Sequence, residues 1–237
     1  MEIQIKDLVK NFGTKTAIDI PELNIVQGEL LGLVGNNGAG KTTMFRLMLD
    51  LLKADKGFVL SKGTDVSGSE EWKSYTGSFI DNRFLIEYLT PEEYLYFVGE
   101  AYHISRAELD ERLQIYTRFM GNEIMGQKKY IRNFSAGNKQ KIGIIAAMMV
   151  NPDVLILDEP FNFLDPSSQI EIKDLILKMN KERNTTVLIS SHNLNYTTDI
   201  STRVVLLENG LVKRDINNTG GAAIVELTDY FMGVAQS

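Results

Sequence analysis

The chain of 237 residues has no cysteine. Disulfides and thiolate metal sites are therefore excluded, in agreement with a reducing cytosol. Histidine occurs only twice, at His103 and His192, and a lone histidine is usually structural. Long hydrophobic runs are missing. The most apolar stretch, Ile142 to Val150, is too short for a bilayer, which takes about 20 residues. Met1 to Asp7 contains no apolar signal region. Work at a membrane would thus need spanning helices from another chain. A surplus of basic residues is also lacking. The net charge is −6 and the pI is near 5.1, which disfavours a general nucleic-acid binder. No internal repeat and no low-complexity linker interrupts the chain. A hydrophobic fraction of 43% and a charged fraction of 24% fit a soluble globular protein of one large domain or two small lobes.

Against these absences stands Gly35-Asn36-Asn37-Gly38-Ala39-Gly40-Lys41-Thr42-Thr43, which fits G-x-x-x-x-G-K-[ST]. Leu30 to Val34 before it reads as a buried strand, and Met44 to Leu52 after it reads as a helix. That strand, loop and helix order is what a phosphate-binding loop needs. Glycines let the backbone turn tightly and aim several N–H groups at one point. The helix N-terminus adds its positive dipole end. Lys41 is expected to reach the β- and γ-phosphates of a nucleotide, and the Thr42 hydroxyl to hold Mg²⁺.

Alternation in residues 1 to 30 predicts two or three half-buried antiparallel strands, continued by Gly57 to Leu60 and a turn at Lys62-Gly63. Residues 82 to 150 read as a helical insert. Thr90-Pro91-Glu92-Glu93 and Ser105-Arg106-Ala107-Glu108 are helix starts, predicting helices from Pro91 to Tyr102 and Arg106 to Met120. A third should run from Ala136 to Met149. Val154 to Leu157 is an apolar strand, Asp165-Pro166 opens a helix to about Glu182, and Thr185 to Ser190 is β-rich. Val204 to Leu207 and Leu211 to Lys213 flank an Asn209-Gly210 hairpin turn. A last helix is expected over Ile224 to Val234. The fold expected is α/β, with a mixed-sheet core at 1–81 and 151–237 that carries an N-terminal antiparallel β-subdomain. The helical insert at 82–150 would complete a single domain over 1–237.

Asp158-Glu159 ends the Val154 strand, and ligands of α/β sheets collect at carboxyl ends of strands. Asp158 there can serve Mg²⁺, and Glu159 can act as general base toward water. Ser135 stands where a helix N-cap belongs, so Ser135 and the N–H groups beyond it form an anion site or merely cap the helix.

The order of these pieces resembles the ATP-binding-cassette ATPases. Phosphate loop, helical insert, Ser135-Ala136-Gly137 at a helix start, and a strand ending Asp158-Glu159-Pro160 follow one another as in that family. Leu164-Asp165 looks like its D-loop, and Ser190-Ser191-His192 like its switch-histidine motif. Phe12 matches the aromatic that stacks on adenine. The resemblance covers nearly the whole chain and implies a P-loop NTPase core. The signature departs from the usual pattern at Ala136 and Asn138. Asp81 falls at the usual glutamine of the Q-loop, where it could contribute a metal oxygen; a register shift would put Asn82 there. An acid at that place, with Leu89 to Glu93 after it, is similar to exporter-type members. The resemblance further implies a head-to-tail pair of ATP-binding subunits, each ATP lying between the phosphate loop of one and Ser135 and Gly137 of the other. It also implies Glu159, His192 and Lys41 as catalytic residues, and a separate transmembrane subunit at the cytoplasmic face of a membrane. The alternatives are a soluble cassette acting on nucleic acid or ribosomes, and a regulatory cassette without turnover. The stretch between Lys41 and Ser135 holds no sustained heptads, which speaks against a DNA-repair cassette.

Overall fold

In the computed structural model, which describes residues 2–234, two sheets are built from one chain. β1 (Ile3–Phe12) and β2 (Lys15–Ile25) form an antiparallel hairpin. Alternation drives it: Ile3, Ile5, Leu8, Ile18 and Ile20 are buried while the intervening polar residues face outward. β3 (Leu30–Val34) is buried throughout and leads through the glycine-rich loop into α1 (Lys41–Met48). β4 (Lys56–Ser61) returns to pair with β1, and the Lys62-Gly63 turn adds β5 (Thr64–Asp65). This completes a four-stranded sheet in the order β2-β1-β4-β5.

β6 (Thr76–Phe79) then crosses to the second sheet. The helical insert follows as α2 (Pro91–Ala101), α3 (Arg106–Gln114), α4 (Thr117–Met120) and α5 (Ala136–Met149). β7 (Val154–Asp158), α6 (Pro166–Arg183), β8 (Thr186–Ser191) and α7 (Leu194–Ile200) continue the α/β pattern. β9 (Arg203–Glu208), β10 (Leu211–Asn217) and α8 (Ala222–Val234) end it. The order β10-β9-β3-β8-β7-β6 is parallel except for β10, so the sheet is mixed. Asn209 and Gly210 at φ 48° and 79° give the hairpin its two left-handed turn residues.

The central strands alternate between two cores. Leu31, Leu33, Ile156 and Leu188 face α1 and the antiparallel sheet. Leu155, Leu157, Val187 and Ile189 face α5, α6 and the helical insert. Both faces of the parallel sheet are covered, which is why its strands read as unbroken apolar runs.

Four elements differ from the sequence reading. α1 starts at Lys41, directly on the loop, and ends at Met48 because Asp50 turns left-handed at φ 48°. The helix expected over Arg106 to Met120 is broken after Gln114. Tyr116 N–H bonds to Leu113 O at 3.0 Å, a tightened turn that swings the Tyr116 ring into the core. β6 was masked by Gly77 and Ser78, poor strand formers. Gly77 is needed because a Cβ there would lie 2.0 Å from Ala147 O. α7 is rich in Asn and Thr, yet it is capped by Asn193 and buries Thr197 and Thr198.

Candidate functional site

The carboxyl ends of β3, β7 and β8 lie side by side, with Val34 paired to Ser191 and Asp158 to Ser190. The glycine-rich loop spans this edge. Gly35 at φ 154° has Leu207 O only 2.2 Å from where a Cβ would sit, and Gly40 at φ 115° has Ala17 O at 2.7 Å. Both are fixed by close backbone approach and by a dihedral that side chains disfavour. The loop closes on itself through Ala39 N–H to Asn36 O at 3.0 Å. Lys41 is buried. Its Nζ donates to Gly35 O at 2.6 Å, contacts Asn36 O at 3.4 Å, and lies 3.6 Å from Glu159 Oε1.

Thr42 is the first link to β7: its hydroxyl donates to Asp158 Oδ2 at 2.5 Å. The Ser190 hydroxyl donates to the other carboxylate oxygen. Burial pushes the Asp158 carboxyl above the usual carboxylate range, against the pull of these two hydroxyls. Glu159 turns left-handed at φ 49°, its N–H bonded to Ser190 Oγ at 3.0 Å and its carbonyl to the Gln140 amide at 3.1 Å. The Glu159 carboxylate lies 2.9 Å from His192 Nδ1 and accepts from His192 N–H at 3.3 Å. Lys41 and His192 thus flank one carboxylate from opposite sides of the edge.

Phe12, Lys15, Ala17, the 37–43 loop and Glu159 enclose a cavity of about 350 Å³. Asn37, Gly38, Ala39, Gly40, Lys41, Thr42 and Thr43 all border it; Gly35 and Asn36 serve it from behind through their carbonyls. Phe12 stands at its rim, 53% exposed, with Lys10 Nζ 5.8 Å from the ring centroid. A larger cavity of about 430 Å³ lies on the helical insert, but Glu92, Glu93 and Glu100 line it and would repel phosphate.

Three expected residues sit apart from the cavity. Ser135 caps α5, accepting from Asn138 N–H at 3.2 Å, and is exposed. Gly137 abuts Phe163, whose carbonyl would come within 2.6 Å of a Cβ. Asp81, expected to contribute a metal oxygen, meets arginine side chains. Its carboxylate accepts from Arg83 Nε at 2.8 Å and lies 3.9 Å from Arg46, so two guanidiniums already neutralise it. Those partners hold it below the usual carboxylate range. Neighbouring Asn82 keeps a buried Oδ1 without a hydrogen-bond partner. Ser190 was read only as the start of the switch-histidine motif, and the contact of Gln140 was not foreseen. Ser190 was within reach, since parallel pairing of two apolar strands sets their last residues opposite each other. Gln140 bonds a backbone carbonyl from another lobe, which no local pattern signals.

Among the described residues, no cluster of three or more His, Asp or Glu side chains could hold a metal by itself, and no helix is long and apolar enough to cross a membrane. Residues 18–162 match the family model described as ABC transporter. The chain is 33% identical to the uncharacterized ABC transporter ATP-binding protein YhcH of Bacillus subtilis, over 99% of this chain and 75% of that one. It is 34% identical to the bacitracin transport ATP-binding protein BcrA of Bacillus licheniformis, over 90% and 69%. A solved ATP-binding subunit of an ABC transporter superposes with a TM-score of 0.82 at 27% identity, covering 92% of this chain and 90% of that one. The phosphate loop, the mixed sheet and these likenesses agree: the chain belongs to the ABC transporter family, as an ATP-binding ATPase subunit.

Proposed function

We propose that the cavity behind Phe12 holds Mg-ATP and that Glu159 activates the water that attacks its γ-phosphate. The observation that carries this reading is the Lys41–Glu159–His192 line, set beside the Thr42–Asp158 pair on one sheet edge. Loop N–H groups and the α1 N-terminus suit the phosphates, and Lys41 supplies the cation. The Phe12 ring offers adenine a stacking face. Thr42 and Asp158 present oxygen donors only, which fits Mg²⁺ held by few protein ligands together with phosphate oxygens. Bound Mg²⁺ would neutralise charge on the phosphates. Glu159 accepts the water proton, and His192 orients the carboxylate and offers a donor toward the γ-phosphate.

The cassettes act as a head-to-tail pair, with Ser135 and Gly137 of one facing the ATP of the other. A separate transmembrane subunit docks at the cytoplasmic face of a membrane. It uses the groove of about 200 Å³ lined by Leu51, Phe84, Leu85 and Tyr102, together with Tyr88, which is exposed three residues beyond Leu85 in the chain. Transport runs outward, on the likeness of Asp81 and the Leu89 to Glu93 segment to exporter-type members. Neither a cassette acting on nucleic acid nor one without turnover has support in these observations.

Glu159→Gln tests the catalytic assignment. The amide keeps the size but is a far weaker base, so phosphate release should fall by about 10² to 10⁴ while Mg-ATP binding persists. Mg-ATP, and not ADP, should then accumulate pairs in size-exclusion chromatography with light scattering. Hydrolysis at the wild-type rate would remove Glu159 from the base role.

A further inference from the structure

The hairpin that carries Phe12 runs past its support. β1 pairs with β4 only as far as Val9, opposite Lys56. Beyond that point Lys10, Asn11 and Phe12 have β2 alone, opposite Ile18, Thr16 and Lys15. The register slips between Lys10 and Asn11, an irregularity of the kind that re-aims side chains beside sites. A two-stranded ribbon is marginal by itself in water. An exposed ring on such a tip would have to be ordered each time a base arrives, at a cost to affinity.

Asp55 fills the gap. It immediately precedes β4, and its own N–H bonds to Val9 O at 2.8 Å. Its carboxylate then stands in for the missing strand. One oxygen accepts from Asn11 N–H at 2.6 Å and from the Asn11 side-chain amide at 3.2 Å; the other accepts from Lys10 Nζ at 3.0 Å. Asn11 passes the constraint across the hairpin, since its Oδ1 accepts from the Thr16 hydroxyl at 2.8 Å. These contacts differ in weight. The Lys10 pair is exposed, and such pairs contribute little. The bond from Asn11 N–H is charge-assisted and fixes the backbone one residue before Phe12. That bond first, and Lys10 second, holds the Asp55 carboxyl below the usual carboxylate range.

Asp55 does not border the cavity behind Phe12. We propose that Asp55 is a positioning residue for the nucleotide, setting the tip of β1 so that the Phe12 ring stands ready for the base. This rests on the reading of Phe12 as the stacking face for adenine and goes beyond it by naming what holds the ring in place. Lys41, Thr42 and Asp158, which serve the phosphate end, bond to one another's elements and not to Asp55. Losing Asp55 therefore costs affinity for the base and leaves the phosphate end intact.

The test uses the full chain and displacement of a fluorescent ATP analogue by Mg-ATP or by Mg-tripolyphosphate, which lacks a base. Phe12→Ala should weaken Mg-ATP by about tenfold, the scale of one base–aromatic stack. Asp55→Ala should weaken Mg-ATP by about three- to fivefold, raising KM with kcat unchanged, and leave tripolyphosphate within about twofold. Added to Phe12→Ala, it should cost less than about twofold more, because the ring it positions is gone. Unchanged Mg-ATP affinity in Asp55→Ala overturns the proposal. So does a loss that persists in the Phe12→Ala chain or is equal for tripolyphosphate, which is what a merely structural role would give. If Phe12→Ala itself binds Mg-ATP as tightly as the unaltered chain, the stacking reading falls and takes the proposal with it. That result is distinct from a loss at Phe12 without one at Asp55, which overturns the proposal alone.

Discussion

Two neighbouring strands of the same parallel sheet, β7 and β6, each run out into an aspartate, and the two carboxylates have opposite fates. Asp158 ends β7 in a buried pocket, held by the hydroxyls of Thr42 and Ser190. Asp81 follows β6 at a partly exposed turn, held by the guanidiniums of Arg83 and Arg46. Burial raises the first pKa, and charge pairing lowers the second. Asp158 bonds to hydroxyls and feels only the more distant charge of Lys41, which leaves it available to a cation, whereas arginines pair with Asp81 directly. The proposed division of labour follows: the β7 end serves nucleotide, and the β6 end serves the docking groove beside it.

The comparison breaks most sharply in turnover. Asp158→Asn should cut phosphate release by on the order of 10² to 10⁴, the several kcal/mol expected when a metal-linked carboxylate is lost. Asp81→Asn should change it by less than about fivefold, since a partly exposed ion pair contributes roughly 0–1 kcal/mol. Equal losses in a phosphate-release assay would show that the two carboxylates share one role.

Docking gives a second measure. Phe84→Ala and Tyr88→Ala should release the chain from membranes that carry its partner, with ATP affinity kept. Both rings are exposed, at 52% and 70%, so truncation leaves no large cavity and little stability is lost. Sedimentation with partner-containing vesicles decides it, and undiminished association would remove the groove from the partner surface.

The smallest effect has opposite signs at the two sites. The folded-state pKa of Asp158 is raised, so its ionised form is disfavoured in the native state above that pKa. Asp158→Asn should therefore raise the melting temperature of the nucleotide-free protein at pH 7, by about 2–4 °C for each kcal/mol of relief. That gain should shrink as pH falls toward 4 and Asp158 becomes protonated. The folded-state pKa of Asp81 is lowered. Its contribution is present above the unfolded value of 3.8 and lost as pH falls through the folded one. Asp81→Asn should thus lower the melting temperature at pH 7 by up to about 4 °C after allowance for solvent screening. The difference should close below pH 4. Calorimetry across that range, with both shifts of the same sign, would contradict the electrostatic account.

Much of the phosphate loop could be read from local spacing. A strand of apolar residues, glycines at 35, 38 and 40, and Lys41-Thr42 ahead of a helix define their own geometry, because each contact is made within a few residues. Asp158-Glu159 was legible for the same reason, as a polar pair ending an apolar run. The arginine partners of Asp81 were not legible, because Arg46 lies on α1 and no spacing rule predicts which guanidiniums will meet a carboxylate. The break at Tyr116 escaped as well, since a buried ring and not a breaker residue ends α3.

By itself the sequence determined the class of the protein. The α/β alternation, the loop that fits phosphate, the missing membrane span and the missing cysteines all follow from composition and short-range periodicity, which act on each segment alone. Tertiary structure decided which charges meet. Ser190 under Asp158, Gln140 on the Glu159 carbonyl, Arg46 against Asp81 and Phe163 over Gly137 join residues far apart in the chain. Such contacts depend on how sheets and helices pack, and the electrostatics of a site depend on distances of a few ångströms that only the packed chain sets.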